Sequence, residues 1–186
     1  ENLELGSKLS DYFKVESDVV FEIGLTANRG DAASHLGVAR ELSTVLNIPL
    51  QIKKNESAPS SNSKTIQIEI EDNKTCPRYS GIILENISVK ESPDWLKTRL
   101  NSIGLRPINN IVDVTNFALH ELGQPLHAFD FDKIKGQKIT VKRNNKEKFT
   151  TLDGVERSLH GHELMIYNAE EAMCMAGVYG GAFSGV

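Results

Sequence analysis

The 186-residue sequence has few cysteines, no long apolar run and no excess of positive charge. Cys76 and Cys174 are too far apart for a metal-site spacing and too few for a disulfide framework. No run of about 18 apolar residues is present, which excludes a membrane-spanning helix. No basic start followed by a short apolar core marks a secretory signal. From the scarcity of cysteine and the lack of a signal we expect a reduced, cytosolic setting.

Charge is distributed unevenly along the chain, whose formal net charge is −4. Residues 1–52 contain 8 acidic and 4 basic residues, whereas residues 53–186 contain 17 of each. Neither part has the basic excess of a broad nucleic-acid-binding face, so any contact with RNA is expected to be local. Seven basic residues between Lys133 and Lys148 form the one notable cluster. Such a cluster is typical of a solvated face, and a local contact with phosphates is the alternative.

A polar segment divides the chain. Residues 53–64 contain a single apolar residue and are rich in serine and asparagine, a composition typical of a linker. We therefore predict one folded unit in residues 1–52 and another in residues 65–186. Because residue 1 is not methionine and the last residues are glycine-rich and apolar, we expect the chain to be a piece of a longer protein.

Apolar periodicity predicts a strand and a helix before the linker. The odd positions of residues 19–25 are all apolar, as in a strand that buries one face. After a turn at residues 27–30, apolar residues from Ala32 to Leu46 follow helical spacing. Asp31 or Ser34 is placed to cap this helix, and Asn47 and Pro49 end it.

Short strands and a few helices are predicted after the linker. Isoleucines alternate with polar residues from 66 to 70, and Ser92, Pro93 and Asp94 together indicate a helix start that Gly104 closes. A further helix is predicted at 113–122. The other predicted strands are 79–84, 138–143, 149–152, 163–167 and 172–178. This mixture predicts an α+β fold.

Three stretches are more specific than packing requires. They are Leu25-Thr26-Ala27-Asn28-Arg29-Gly30-Asp31, Ile111-Val112-Asp113-Val114-Thr115-Asn116 and Gly123-Gln124-Pro125-Leu126-His127-Ala128-Phe129-Asp130. Two shorter stretches follow them: Leu152-Asp153-Gly154 and Ala176-Gly177-Val178-Tyr179-Gly180-Gly181. In this order they closely resemble the β subunit of the bacterial phenylalanyl-tRNA synthetase family. Residues 1–52 resemble the C-terminal part of its B1 domain. Residues 65–186 resemble its B3/B4 domain, truncated at the C-terminal end. Gly30 stands where the family usually has proline, which affects the stiffness of the turn.

The resemblance implies a role in protein synthesis. The family's cytosolic α2β2 enzyme joins phenylalanine to its tRNA with ATP and magnesium, which the α subunit binds. No cofactor or metal is therefore expected in this fragment. The B3/B4 domain hydrolyses mischarged tyrosyl-tRNA. The implied partners are the α subunit, the tRNA for phenylalanine and the mischarged tyrosyl-tRNA. The alternative is a non-catalytic module for RNA binding and subunit assembly in which editing is lost.

His127 is the candidate catalytic residue, because it matches the histidine that lines the family's editing pocket. An unperturbed imidazole has a pKa near working pH and can orient water or the ester. Substrate-assisted attack through a hydroxyl of the terminal adenosine is the equal alternative to a general base. Without the resemblance, a lone histidine is more often structural.

Five further residues match substrate-binding positions of the family. Arg106 could contact the RNA end, or satisfy the last carbonyls of the preceding helix. Thr115 and Asn116 match a pair beside the bound amino acid, or cap a helix that begins there. Gly177 and Gly180 would let a ligand approach the backbone, or mark a bulge or close crossing.

One part of the family's pocket falls outside the sequence. The glutamate that reads the tyrosine hydroxyl, and a later threonine, lie downstream of the final Ser-Gly-Val in the family. We therefore expect the isolated 186-residue piece to edit weakly or not at all.

Overall fold

The computed structural model of the chain describes residues 5–12, 18–52 and 64–186. The helices are α1 (Leu9–Tyr12), α2 (His35–Leu46), α3 (Asp94–Ser102) and α4 (Asn110–Leu122). The strands are β1 (Gln67–Ile70), β2 (Lys138–Arg143), β3 (Lys148–Thr150), β4 (Glu156–Ser158), β5 (Leu164–Tyr167), β6 (Ala172–Met175) and β7 (Tyr179–Gly180). Short 3₁₀ turns lie at Gly30–Ala32, Phe131–Lys133 and Lys135–Gln137. The chain therefore has the predicted α+β fold.

A mixed sheet carries the main core. Its strand order is β1-β2-β5-β6-β7, with β1 parallel to β2 and the other pairs antiparallel. Val141 of β2 and Met173 of β6 are almost completely buried in this core. Strands β3 and β4 form a separate ladder, and Phe149 of β3 packs with Met165 and Tyr167 of β5. The sheet thus provides the rigid base from which the later loops project.

The helices pack on one another. Ser34 caps α2 by accepting a hydrogen bond from the Gly37 N–H, and Asn47 ends α2 in the left-handed conformation, as predicted. Helix α4 packs against both α2 and α3. One ring nitrogen of His35 lies 3.0 Å from the carbonyl oxygen of His120. Residues before and after the predicted linker are therefore in contact. The linker, Lys64 excepted, lies outside the described residues, so the domain boundary stays a prediction.

The sequence predicts the central strands well. The predicted strand 138–143 coincides with β2, and the alternating isoleucines at 66–70 form β1 with one residue fewer. The predicted strand 172–178 is too long: β6 ends at Met175, because Gly177 adopts a positive φ of 70° and turns the chain toward β7, which begins at Tyr179. Strand β4 was not predicted, since its three residues are all exposed and show no apolar alternation.

Two predicted strands, 19–25 and 79–84, are wrong. Both segments are outside any strand of the described chain. Their apolar side chains, such as Phe21 and Ile82, are mostly solvent-exposed. Alternating or continuous apolar residues favour extended backbone, but a strand also needs ladder hydrogen bonds to a neighbour. Apolar side-chain patterns alone therefore do not identify a strand, because they carry no information about backbone hydrogen-bond partners.

The predicted starts of the last two helices require correction. Ser92 does not cap α3: its hydroxyl donates instead to the buried Asp113 carboxylate, and Pro93 occupies the N-cap position. Helix α4 begins at Asn110 rather than 113, because Asn109 accepts hydrogen bonds from two N–H groups of its first turn. Gly123 ends α4 with φ 79°, as predicted. No helix in the described ranges is long and apolar enough to cross a membrane.

Candidate functional site

His127 lies on the loop between α4 and the 3₁₀ turn at 131–133. Its ring packs on that of Phe129, with 4.3 Å between the ring centroids. Phe129 in turn forms an isolated antiparallel bridge with Gly185. The loop is therefore fixed against the segment that follows β7, and the imidazole, although solvent-exposed, is held by an aromatic neighbour.

Gly180 of β7 brings His127 and Leu152 together. A Cβ atom built on Gly180 would lie 2.7 Å from Cδ1 of Leu152 and 2.8 Å from Cε1 of His127. The Leu152 N–H donates a 3.0 Å hydrogen bond to the Gly180 carbonyl oxygen. Only glycine leaves room for both side chains at this distance. Three separate segments of the chain thus meet at one point, which we call the glycine junction: His127, Leu152 and Gly180.

The surroundings of His127 favour its neutral form. Desolvation by neighbouring atoms lowers the pKa of His127 below its usual value of 6.5. A neutral imidazole at pH 7 has one nitrogen able to accept a hydrogen bond or a proton. His127 can therefore act on water or on a hydroxyl group.

A polar network lies behind Leu152. The hydroxyl of Thr151, which is completely buried, hydrogen-bonds one oxygen of Asp153. Arg157 donates from Nε to that hydroxyl at 3.0 Å and from Nη2 to the other Asp153 oxygen at 2.7 Å. Its guanidinium also lies over the Tyr179 ring, 5.9 Å from the centroid. These contacts join the turn after β3 to the start of β7.

Arg106 lies on the loop between α3 and α4, with its side chain exposed. Its guanidinium makes no hydrogen bond or ion pair with any residue in the described ranges. The alternative interpretation, in which Arg106 satisfies the last carbonyls of α3, is therefore wrong for the described structure. The positive charge of Arg106 is available to an anionic ligand.

Thr115 and Asn116 lie in the second turn of α4 and not at its start, so the alternative in which they cap a helix is wrong. The Thr115 hydroxyl donates to the Val112 carbonyl at 2.7 Å. The Asn116 side chain is half-buried. Its amide group, with two donors and an acceptor, forms no hydrogen bond to a described residue and so keeps its capacity for a ligand.

Asp113 ties the Arg106 loop to α4. Its carboxylate is completely buried and accepts from the Ser92 hydroxyl at 2.5 Å and from the Ile108 N–H at 2.9 Å. The two loops that flank α3 are thus anchored to one side chain in the first turns of α4. Sequence reasoning treated Asp113 only as part of a motif, although its place two residues before Thr115 could have marked it.

The structure brings the predicted residues together only in part. His127 and Gly180 meet at the glycine junction, whereas Gly177 lies in the turn between β6 and β7 with no atom within 4 Å of a Cβ built on it. Arg106, Thr115 and Asn116 belong to α4 and the loop before it. Across the described chain, no hydrogen bond, ion pair or ring contact joins these three to His127.

Leu152 was missed as a site residue, although residues 152–154 carried part of the resemblance. Arg157 was missed because no sequence pattern links it to Thr151 or Tyr179. Such contacts follow from the pairing of β3 with β4 and from the return of the chain through β7. Only the fold could reveal them.

The basic cluster at 133–148 is largely neutralised. Six of its seven members form ion pairs with carboxylates, for example Lys138 with Glu69 at 2.6 Å and Arg143 with Asp72 at 2.8 Å. The exception is Lys146, which forms no ion pair with a residue that the structure describes. Paired, exposed charges are typical of a solvated face. The structure therefore favours that interpretation over a landing site for phosphates.

A cavity of about 390 Å³ lies apart from the glycine junction. Phe149, Met173 and Gly181 line it, and none of the three junction residues does. Gly181 also points away from His127, since its Cβ would meet the Met173 carbonyl oxygen at 2.5 Å and Phe149. Gly180 and Gly181 thus face two different sides of the sheet edge.

No metal-binding group emerges from the described ranges, where no three His, Cys, Asp or Glu side chains come together suitably. His160 and His162 stack on each other with 5.9 Å between ring centroids. Both rings are exposed. The expectation that this chain holds no metal or cofactor stays a prediction.

Comparisons with known proteins agree closely. Residues 75–186 match the family described as the B3/4 domain. The phenylalanine–tRNA ligase beta subunit of Bacteroides fragilis is 47% identical over 190 residues, covering 97% of this chain and 23% of that protein. The subunits of Porphyromonas gingivalis and Protochlamydia amoebophila are 48% and 46% identical, covering 98% and 100% of this chain and 23% of each relative. The chain thus spans about a quarter of these relatives' length.

Proposed function

The chain belongs to the phenylalanine–tRNA ligase beta-subunit family, and from this premise we propose that its B3/4 region hydrolyses tyrosyl-tRNA formed in error on the tRNA for phenylalanine. The observation that carries the proposal is the glycine junction, where a histidine with a lowered pKa meets an exposed leucine over a glycine. A proton acceptor beside an apolar contact suits an aromatic aminoacyl ester. The tRNA and its amino acid are those of the relatives, which are phenylalanine–tRNA ligase beta subunits.

The proposed reaction is ester hydrolysis at the 3′ end of the tRNA. Water attacks the ester carbonyl, the bond to the ribose oxygen breaks, and tyrosine and tRNA with a free hydroxyl are released. Neutral His127 accepts the hydrogen bond of the attacking water and takes its proton, which then passes to the ribose oxygen. In the substrate-assisted version, an adenosine hydroxyl orients the water and His127 holds that hydroxyl.

Chemical discrimination explains why a second site is useful. A pocket shaped for phenylalanine rejects tyrosine by only about 10²-fold, because tyrosine merely adds a hydroxyl. A hydrolytic pocket that hydrogen-bonds this hydroxyl would leave its own buried partner unpaired when phenylalanine enters. That loss costs about 1–3 kcal/mol. Selective hydrolysis of tyrosyl-tRNA is therefore easier to achieve than rejection of tyrosine by the pocket shaped for phenylalanine.

Arg106, Thr115 and Asn116 complete the proposed substrate contacts, together with Gly177 beside the junction strand. The uncompensated guanidinium of Arg106 suits a phosphate near the RNA end. The Asn116 amide suits the polar groups of the aminoacyl adenosine, because it can both donate and accept hydrogen bonds. Asp113 would keep these groups in register with α4.

In the whole enzyme, we propose that this region works beside an α subunit that binds ATP and magnesium and joins phenylalanine to tRNA in the cytoplasm.

The alternative function, a subunit-assembly and tRNA-contact module, is favoured by one observation. Large apolar side chains such as Val19, Phe21 and Val45 are more than 70% exposed. Surfaces of this kind mark interaction sites.

Deacylation assays separate the two functions. The complete ligase that contains this sequence is given tyrosyl- and phenylalanyl-tRNA for phenylalanine, as wild type and as His127→Ala. Aminoacylation with phenylalanine serves as the control for assembly. Editing is supported if the wild-type ligase hydrolyses tyrosyl-tRNA selectively and His127→Ala does not, while aminoacylation by the variant stays intact. If the wild-type ligase hydrolyses neither substrate, the editing proposal fails and the assembly function is preferred.

A further inference from the structure

Arg157 bridges two segments that frame the glycine junction. One segment is the turn after β3, where Arg157 binds Thr151 and Asp153 on either side of Leu152. The other is the start of β7, where its guanidinium faces the ring of Tyr179, the residue before Gly180. Arg157 itself lies on β4. One side chain thus links three parts of the fold at the edge of the site.

The contacts of Arg157 require the shape of guanidinium. Two nitrogens reach two different acceptors while the guanidinium carbon lies over an aromatic ring, a combination that lysine cannot reproduce. The acceptor Thr151 is fully buried, and its hydroxyl also donates to Asp153. This hydrogen bond is the largest of several contacts that lower the pKa of the Asp153 carboxyl. Asp153 is therefore held as an anion opposite Arg157.

Core burial does not explain this arrangement. The Arg157 side chain is 44% exposed, and an exposed ion pair contributes little to folding. Leu152 is 58% exposed, yet the polar network on one side and the hydrogen bond to the Gly180 carbonyl on the other fix its backbone. An exposed leucine fixed this firmly suits a surface that contacts a ligand.

We propose that Arg157 is a positioning residue for the hydrolytic site: it holds Leu152 and Gly180 in register with His127. This inference rests on the proposed function for its effect on hydrolysis, although the effect on Leu152 is separate. Without the guanidinium, Thr151 and Asp153 lose their link to the Tyr179 segment, and Leu152 can move relative to the imidazole. Such small displacements lower the rate of the bound complex more than they weaken binding.

The test compares Arg157→Gln and Arg157→Lys with Arg143→Gln in the complete ligase. Arg143 is a matched control because it is also half-exposed, at 46%, and donates to a carboxylate, a hydroxyl and a carbonyl. Its partners Asp72, Thr75 and His162 lie outside the glycine junction. Two quantities are measured: kcat and KM for tyrosyl-tRNA hydrolysis, and the hydrogen-exchange rate of the peptide that contains Leu152.

We expect Arg157→Gln to lower kcat by roughly 10- to 100-fold, with a much smaller change in KM. Exchange at the Leu152 amide should become faster, and Arg157→Lys should restore little of either quantity. Arg143→Gln should leave both quantities near wild type. Unchanged exchange at Leu152 in Arg157→Gln would overturn the positioning role whatever the activity. Faster exchange with unchanged kcat would also overturn it. A wild-type ligase without hydrolysis would instead overturn the proposed function, and the exchange result would still report on the contact.

Discussion

At the scale of single residues, Gly180 and Gly181 are adjacent, yet a side chain at each position would meet different neighbours. The atoms nearest to a Cβ on Gly180 belong to the Leu152 and His127 side chains, whereas on Gly181 the nearest atom is the backbone oxygen of Met173. Side-chain ends can move aside, and a backbone oxygen in a sheet cannot without shifting a strand. The first position therefore limits the site and the second limits the fold.

Substitution of alanine at each glycine tests this difference. Gly180→Ala should keep the free energy of unfolding within about 1 kcal/mol but lower kcat for tyrosyl-tRNA hydrolysis by about tenfold or more, because it displaces His127 and Leu152. Gly181→Ala should cost about 1–3 kcal/mol of unfolding free energy through overpacking. Urea unfolding and deacylation measured on both variants separate the effects. Equal stability losses in the two variants would contradict the assignment.

The lowered pKa of His127 leads to a pH prediction. Protonation removes the acceptor nitrogen, so kcat/KM for hydrolysis should fall as pH decreases, with its midpoint below about 6.5 because desolvation by neighbouring atoms lowers the pKa of His127. The profile is measured from pH 5 to pH 8 in the complete ligase. His127→Ala should lack this acid limb. A wild-type profile that is flat over this range would favour the substrate-assisted route without a histidine base.

Some residues of the candidate site could be predicted from the sequence and others could not. The histidine and Gly180 could be proposed from a motif because each lies in a recognisable stretch. Leu152 lay in such a stretch without an assigned role, and Arg157 lay in none. Its partners are six and four residues upstream and 22 residues downstream, and the contact depends on how β3, β4 and β7 come together.

At the scale of secondary-structure elements, the start of α4 depends on one buried carboxylate. Asp113 accepts from the Ser92 hydroxyl and the Ile108 N–H, so it fixes the loops on both sides of α3. Asn109 caps the same helix turn. The position of Arg106, two residues before Ile108, follows from this anchor.

Removal of the anchor should therefore destabilise the fold. Asp113→Ala leaves the Ile108 N–H without its acceptor in a partly buried place and should cost about 1–3 kcal/mol of unfolding free energy. Asp113→Asn keeps one carbonyl oxygen of similar shape and should cost less. Denaturant unfolding of the 186-residue protein measures both. The account of α4 fails if alanine and asparagine are equally well tolerated.

Apolar periodicity was sufficient to predict some secondary-structure elements and insufficient for others. Strand β2 was predicted with its observed bounds because alternation, burial and flanking polar residues agree there. Segments 19–25 and 79–84 have comparable apolar content but form no strand in the described chain. Helix ends needed side-chain contacts that are remote in sequence, such as Ser92 with Asp113.

At the scale of the whole molecule, a cluster at the sheet edge links distant parts of the chain. Asp72 follows β1, and Arg143 at the end of β2 donates to it and to Thr75. Hydrogen bonds from Thr75, with a further one from Arg143, lower the pKa of Asp72 to about 2. Folding therefore favours the ionised carboxyl.

This shift predicts how acid affects stability. A carboxyl with a lowered folded-state pKa stabilises the protein fully above its unfolded value near 4. That stabilisation is lost as pH falls toward 2. Asp72→Asn should make the free energy of unfolding less dependent on pH between about 4 and 2, and lower it at pH 7. Urea titrations at several pH values check this. An unchanged slope in the variant would show that Asp72 is not responsible.

The central claim of the account is that His127 at the glycine junction lines the hydrolytic site. The most direct measurement is footprinting of histidines in the complete ligase with a carbethoxylating reagent. It is done with and without a non-hydrolysable tyrosyl amide of 3′-amino-adenosine. His160 and His162 are internal controls, since both are exposed and neither belongs to the junction. If His127 lines the site, the analogue slows modification of His127 and leaves the two controls unchanged. Equal modification of His127 with and without saturating analogue would contradict it.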